Sequence, residues 1–377
     1  MITYANTHFI LNQMREEKMS KGEIGPRVVI FGSSFSGKKT LCKILINYAT
    51  KSGWKPVFVD LDINSNDIGI NGSIGAVVVE ERYPETSEEF FEIKNKILFW
   101  HGYYNYSQKK FYEEQIKVLN SMVNDKLEVL RVKYLDKMKD LNVLNDVYKD
   151  LFLSNERNTF ASGSIIKTPT YTEEIGFPTY KIIVESSDAD VILVLDHDGL
   201  FKKLRKEFPN KKIIKLNKSG GVVQTDEKTK AKQREIKLSH YFIGNMNQVK
   251  SKIKIIPYHH IKIFAITKSP AAQDALPAGT TKEDIDKLRT KLIDPSEENL
   301  TKKVLGVLHL KSLGENEEND PEKFMQKLIR SSLACLAYVQ DINPLKKEMT
   351  VLFPFLENET HDTLNNYWLY SDIIWVR

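Results

Sequence analysis

The sequence predicts an α/β chain in which a parallel sheet with helices on both faces is followed by a smaller, mainly-β C-terminal part. Three observations carry this. First, short apolar runs, RVVIF from residue 27, VFVDLD at 57–62, VILVLD at 191–196 and IIKL at 213–216, alternate with segments that are apolar at helical spacing. Runs without polar alternation read as strands buried on both faces, the signature of a parallel sheet covered by helices. Second, after Gly244 the pattern becomes one of short β-rich, aromatic-rich runs, KIKIIPYHHIKIFAI, VLGVLHL, LACLAYV, MTVLFPFL and YWLYSDIIWV. Third, 377 residues exceed a typical domain of about 150, so two domains with an insertion are expected.

In order along the chain, residues 1–24 are mostly polar and read as a lead-in helix or arm, and residues 25–245 form the α/β domain. Between Tyr103 and Ser162 there is neither Gly nor Pro, and Leu119, Val123, Leu127, Leu130, Tyr134, Met138, Leu141, Leu144, Tyr148 and Leu151 follow three- and four-residue steps. This predicts a long helical insertion over about 111–153, either packed on the domain or projecting as a partner-binding arm. Residues 246–377 form the mainly-β domain, interrupted by the acidic loop GENEENDPE, which reads as a solvated connection.

Composition narrows the function classes. With 55 Lys and Arg against 50 Asp and Glu, the net charge of +5 excludes a polybasic nucleic-acid coat, and 41% hydrophobic residues exclude wholesale disorder. No stretch reaches the roughly 18 apolar residues of a membrane span, and the first residues lack a signal-type apolar core. A soluble, intracellular chain with no membrane partner is the expectation. Cys42 and Cys335 stand far apart, which argues against a disulfide framework or a zinc knuckle.

The most specific local signal is GSSFSGKKT. Gly32, Gly37 and Lys38 match GxxxxGK[ST], and they lie between an apolar strand and a helix, as that phosphate-binding pattern requires. In such a loop the glycines let backbone N–H groups wrap a phosphate, the helix N-terminus adds a favourable dipole, and the lysine reaches the β- and γ-phosphates. The fold class this points to is that of a P-loop NTPase, with Gly32, Ser33, Ser34, Phe35, Ser36, Gly37, Lys38, Lys39 and Thr40 as the candidate nucleotide-binding residues; the alternative is an ordinary glycine turn. The last position departs: Lys39 stands where a hydroxyl would ligate Mg²⁺, and the hydroxyl comes one residue later, at Thr40. One residue along a helix is a rotation of about 100°, so Thr40 does not simply inherit the metal. An ammonium there can neutralise phosphate charge but offers no bridging coordination. Binding is expected to survive and transfer chemistry to suffer. Asp60 and Asp62 end the second strand, where a carboxylate can face the phosphates; Asp62 can orient metal or take a proton, or such carboxylates can cap the following loop.

The strings YANTHFILNQMR, GPRVVIFGSSFSGKKTLCKILINYA, KPVFVDLD, NGSIGA, DVILVLD, LNKSGGVV and HYFIG resemble the RNA 5'-hydroxyl kinase family, which includes a subunit of the eukaryotic pre-mRNA cleavage and polyadenylation factor. The likeness covers most of 4–100 and 160–245, loosens over 250–300 and returns at YWLYSDIIWVR. It implies an N-terminal β-domain, a central P-loop kinase domain and a C-terminal β-domain, and it places the first residues of this chain just ahead of the central domain. It also implies ATP and Mg²⁺ as cofactors, the 5'-OH end of RNA as acceptor, a nuclear location and a cleavage-complex scaffold protein as partner. A related role in tRNA splicing brings the tRNA splicing endonuclease as a second partner.

Carried over residue by residue, the resemblance gives Lys38 the role of P-loop lysine and Asp62 that of the DxxQ aspartate, serving in catalysis and at the metal; in a working kinase Thr40 or water would recruit the Mg²⁺. Ser65 replaces the glutamine of that motif. The family's clasping tryptophan falls on Tyr171, a substrate-binding position. The three lid arginines fall on Thr225, Lys230 and Arg234, so one cation is lost, one is a lysine and one is kept. Lysine is a flexible point charge where arginine presents a planar fork, and arginine-finger contributions reach about 10³–10⁵ in rate. Lys230, Arg234 and Lys237 share one helical face, which reads either as a phosphate-holding stripe or as a solvated face balanced by Glu227 and Glu235. The acceptor-binding loop falls on WHGYYNYSQKKFY, residues 100–112, whose aromatics either stack RNA bases or fill core. No site role is expected of His101, His259 or His260. Three functions compete: an ATP-binding structural subunit with impaired catalysis, a working RNA 5'-hydroxyl kinase, and a P-loop switch or transport ATPase unrelated to RNA, against which the KSGGVV and NTH strings speak.

Overall fold

The computed structural model describes residues 2–83, 96–141, 159–244, 251–268, 288–296, 299–310, 320–354 and 366–376. The backbone gathers into two compact units, one of residues 1–69, 74–97 and 116–225, the other of residues 70–73, 98–115 and 226–377.

The first unit is built on a seven-stranded sheet of order β4-β3-β2-β5-β1-β6-β7. The strands are β1 (Arg27–Gly32), β2 (Val57–Asp60), β3 (Ser73–Val78), β4 (Lys96–Trp100), β5 (Ser164–Lys167), β6 (Val191–Leu195) and β7 (Lys212–Leu216). β2, β5, β1, β6 and β7 run parallel, as the apolar runs predict, whereas β3 runs antiparallel to β2. Besides the unexpected strands β3 and β4, the first of them antiparallel, two further features depart from the sequence reading. β5 was not among the four expected strands, yet its four buried residues insert between β2 and β1. β7, expected to be buried, closes the sheet at an edge and buries only Leu216 fully.

Helices pack their apolar stripes onto this sheet. α1 (Ile2–Ser20) buries Tyr4, Leu11 and Arg15; the Arg15 Nε donates to the Ser162 carbonyl at 2.9 Å. α2 (Lys38–Lys51) buries Leu41, Cys42, Leu45, Ile46 and Ala49, the three- and four-residue spacing of one helical face. α3 spans Lys109–Leu141 and starts in the second unit. Its stretch in the first unit buries Ile116, Leu119, Val123 and Leu127, while Leu130 and Tyr134 pack against a cluster of Ala49, Trp54, Phe160 and Ala161. Through Tyr134 the long helix is thus a packed one; residues 142–153 of the expected insertion lie outside the described residues. α4 (Gly176–Ser186) buries Thr179, Tyr180, Ile183 and Val184. α5 (Asp198–Glu207) is capped by His197, whose Nδ1 accepts the Leu200 amide at 3.1 Å, with Asp198 in its first turn and Arg205 and Lys206 in its last, in accord with the helix dipole.

The second unit carries the mainly-β part. Its sheet has the order β10-β9-β14-β11-β12-β13-β8, from β8 (Lys252–Pro257), β9 (Lys262–Lys268), β10 (Leu288–Ile293), β11 (Val304–Leu308), β12 (Leu333–Asn343), β13 (Glu348–Phe353) and β14 (Tyr367–Leu369). All pairings are antiparallel except β14 with β9. Ile263, Leu305, Val307, Val339, Val351 and Trp368 form its apolar core. α6 (Glu227–Ile243) joins it through Phe242, stacked on Trp375 at 5.3 Å, and through the Tyr241 hydroxyl, which accepts the Leu336 amide at 2.9 Å. α7 (Pro321–Arg330) starts with an Asp320 cap and Pro321. No helix of the described residues is long and apolar enough to cross a membrane.

Candidate nucleotide site

β1 delivers the chain to Gly32 and α2 starts at Lys38, so the loop between them lies at the carboxyl edge of the parallel strands, where α/β folds place their ligands. Gly37 has φ 89°, a left-handed conformation that glycine adopts without strain and that turns the chain into α2. At Gly32 a Cβ would fall 2.5 Å from the Ser36 Oγ and 3.0 Å from Leu195, so only glycine lets the loop close over the strand. The Ser36 hydroxyl donates to the Ser33 carbonyl at 2.9 Å, fixing the bend, and the Ser33 hydroxyl donates to the Asp196 carbonyl at the end of β6. Among the described residues the amides of Ser34, Ser36 and Gly37 have no protein acceptor. They form the kind of N–H nest that holds a phosphate oxygen.

Lys38 is the cation of this loop. It is 7% exposed, and its ammonium donates to the Gly32 and Ser33 carbonyls, each at 3.0 Å, and to the Thr170 hydroxyl at 3.3 Å. Burial lowers its pKa to about 8, against the opposing pull of Asp62. The ammonium rests on neutral acceptors only, which anionic phosphate oxygens can replace with stronger, charge-assisted hydrogen bonds.

Beyond β2 the two candidate carboxylates do different work. Asp60 is fully buried and accepts the amides of Asp62 at 3.0 Å and Asp67 at 2.8 Å, together with the Lys167 ammonium at 2.8 Å. It is the loop-capping carboxylate. Asp62 accepts the Asn64 amide through Oδ1 at 3.0 Å, and among the described residues its other oxygen takes no protein donor. Asp62 is thus the carboxylate with capacity left for a ligand.

Behind both lies a cluster that the sequence reading missed. The Lys167 ammonium also contacts Asp67 at 2.9 Å and donates to the Ser65 carbonyl; Asp67 accepts the Tyr83 hydroxyl at 2.6 Å and pairs with Lys39 at 2.6 Å. Burial alone would lower the Lys167 pKa, but Asp60, Asp67 and Asp62 outweigh it and hold the ammonium well above the usual lysine range. Its one sequence signal is a lysine closing the apolar run SIIK.

Tyr171 sits beside the loop, its amide donating to the Gly32 carbonyl at 3.4 Å. Its ring stacks on Tyr180 at 5.2 Å, meets His197 edge-on at 5.1 Å and has the Lys203 ammonium 5.9 Å from its centroid. The structure thus brings Gly32–Lys39, Asp62 and Tyr171 to one strand edge of the first unit. Thr40 is exposed on the outer side of the first turn of α2.

The lid cations belong to the second unit. Lys230 pairs with Glu227 at 2.6 Å, Lys237 is buried, and the Arg234 guanidinium lies 4.9 Å from the centroid of the Tyr104 ring. The stripe is therefore divided among three surroundings. His101 is buried among Tyr103, Phe111 and Tyr112, and burial pushes its pKa down to about 4, so it stays neutral as a core residue. The expected acceptor loop is in this part mainly core: Trp100, Tyr103, Tyr106, Phe111 and Tyr112 are buried.

The donor set fits the two expected ligands unequally. The N–H nest, the buried ammonium and the closed glycine turn suit a nucleotide's phosphates. For Mg²⁺ the fit is poor, because Lys39 is itself a cation and Thr40, one residue further along the helix, is exposed. Among the described residues no group of three or more His, Cys, Asp or Glu side chains is placed to hold a metal.

The chain matches the family described as "mRNA cleavage and polyadenylation factor CLP1 P-loop" over residues 32–135 and 133–244, and "Pre-mRNA cleavage complex II protein Clp1" over 251–375. It is 29% identical over 364 residues to the Protein CLP1 homolog of Arabidopsis thaliana, a match covering 94% of this chain and 73% of that one. The Protein CLP1 homolog of Nematostella vectensis is 30% identical, covering 94% and 74%. The human polyribonucleotide 5'-hydroxyl-kinase Clp1 is 26% identical over 356 residues, with the same coverage. Among solved structures, the wild-type Clp1p–Pcf11p complex aligns with TM-score 0.72 at 20% identity over all of this chain and 80% of the other. A Clp1p structure describing an extended interface with Pcf11p, and ATP loss in a glycine-to-arginine mutant, gives 0.73 at 20% identity. With its phosphate loop, its parallel sheet and both matched segments in place, the chain belongs to the Clp1 family.

Proposed function

We propose that this chain is an ATP-binding subunit of the nuclear pre-mRNA 3'-end cleavage and polyadenylation machinery, in which it docks a scaffold protein and has impaired catalysis. The observation that carries the nucleotide part is Lys38, a nearly buried ammonium resting on the carbonyls of its own glycine loop. The partner part is supported by the relatives' names and by the solved complexes of Clp1p with Pcf11p. Impairment is supported by Lys39, tied to Asp67 where a metal-binding hydroxyl would stand, and by Ser65 and Thr225 where resemblance calls for glutamine and arginine. In this reading ATP stabilises the folded form that partners recognise.

A second reading, an active RNA 5'-hydroxyl kinase, is favoured by the oxygen left free on Asp62 and by the retained Arg234. The RNA 5'-hydroxyl oxygen would attack the γ-phosphorus, Asp62 would take the proton, and ADP would leave. Incubating the purified chain with MgATP labelled at the γ-phosphate and 5'-OH RNA separates the two. Label transfer that Lys38→Ala abolishes establishes the kinase. Bound ATP without transfer establishes the structural subunit, and a chain that binds no ATP overturns both.

A further inference from the structure

Lys39 occupies the position at which GxxxxGK[ST] supplies a hydroxyl to a divalent cation. Its ammonium lies 2.6 Å from the Asp67 Oδ1. Asp67 is held from its other side: Oδ2 accepts the Lys167 ammonium at 2.9 Å and the Tyr83 hydroxyl at 2.6 Å, and the backbone amide of Asp67 donates to Asp60 at 2.8 Å. The carboxylate under Lys39 is therefore fixed in direction and nearly excluded from water. The Lys39 side chain itself keeps 40% of its exposure, and an ammonium has three donors, so N–H groups remain for an incoming ligand.

The charges around the loop point the same way. Lys38, Lys39 and Lys167 stand against Asp60, Asp62 and Asp67, so the group is balanced with nothing bound. A serine or threonine at position 39 would leave one carboxylate uncompensated, and a divalent cation entering with a nucleotide would offset it. With lysine there, the same cation would come in against an added ammonium group, with Asp60 and Asp67 already engaged by lysines and only Asp62 left to face it.

We propose that this loop takes ATP as the metal-free anion, the Lys39 ammonium braced by Asp67 acting on the phosphates in place of a divalent cation. The proposal rests on the nucleotide reading above and specifies the form of the ligand. It also gives the impaired transfer chemistry a physical cause: a lysine adds charge to the phosphates but cannot hold two oxygens in a fixed coordination geometry.

Calorimetric titration of ATP into the full chain, once in EDTA and once in excess Mg²⁺, tests it. The expected result is a Kd in EDTA equal to or lower than that in Mg²⁺. Lys39→Ser should lose about tenfold or more in EDTA, equivalent to about 1.4 kcal/mol, and regain it when Mg²⁺ is added. Lys39→Arg, which keeps the charge but presents it as a planar fork, should retain more of the parent's affinity in EDTA than Lys39→Ser does. Binding by the parent that requires Mg²⁺ overturns the proposal and leaves the nucleotide reading standing. So does a Lys39→Ser chain that binds in EDTA as tightly as the parent. Failure to bind ATP in either medium removes the nucleotide reading itself, and this inference with it.

Discussion

The two sheets of this chain hold themselves together by different means. In the second unit the core of the sheet is apolar: Leu305, Val307, Val339, Val351 and Trp368 meet across antiparallel strands. In the first unit the strands are equally apolar, but at their carboxyl edge the sheet buries Asp60, Asp67 and Lys167 completely or nearly so. An apolar core gains stability roughly in proportion to the area it removes from water and tolerates exchange among similar side chains. A buried set of ions does not. Desolvation offsets much of its attraction, and it holds only while every member is present. We therefore read the ionic edge as built for the ligand it faces and the apolar sheet as built for stability.

The strongest way to break that contrast is Lys167→Met, which leaves two buried carboxylates without their shared cation. A loss of about 3–5 kcal/mol in unfolding free energy is expected from chemical denaturation. A loss under about 1 kcal/mol would mean that the cluster is not under this constraint. Leu305→Ala in the second sheet should cost about 2–5 kcal/mol through its cavity, yet leave the Kd for ATP where it was. A weakened Kd in that variant would show that the two regions are not separable in function.

The smallest expected effect is in pH. Burial brings the Lys38 pKa down to about 8, and phosphate oxygens favour the charged form. ATP affinity should therefore be full below pH 8 and decline above it, by at most about tenfold per pH unit for one proton. The decline should be absent in Lys38→Arg, which stays charged throughout. A parent profile flat from pH 7 to 9.5 would contradict the assigned role of Lys38.

The contrast also explains what could be read in the sequence. The glycine loop was legible because its chemistry is local: Gly32, Gly37 and Lys38 lie within seven residues, between a strand and a helix. The mainly-β part was legible from its aromatic runs. Asp67 and Lys167 were not, because they meet only once β5 has inserted between β2 and β1, and 100 residues separate them along the chain. β5 itself escaped notice because four residues followed by Thr168 and Pro169 give little periodicity to detect. β3 escaped for another reason: its antiparallel direction follows from the turn at residues 61–72, which Asp60 ties down through the amides of Asp62 and Asp67. Lys39 was visible as a departure from the pattern, but what it touches was not.

Burial lowers the Lys38 pKa to about 8, so around that pH part of its amine carries a free lone pair and can act as a nucleophile as well as a charge. Ordinary surface lysines, protonated far more fully, react slowly with acylating reagents under the same conditions. A nucleotide carrying an activated ester or sulfonyl fluoride near its phosphates would thus find one preferred point of covalent attachment in the first unit. Mass spectrometry of the labelled peptide offers a record of occupancy that survives purification, whatever the chain goes on to do with the nucleotide.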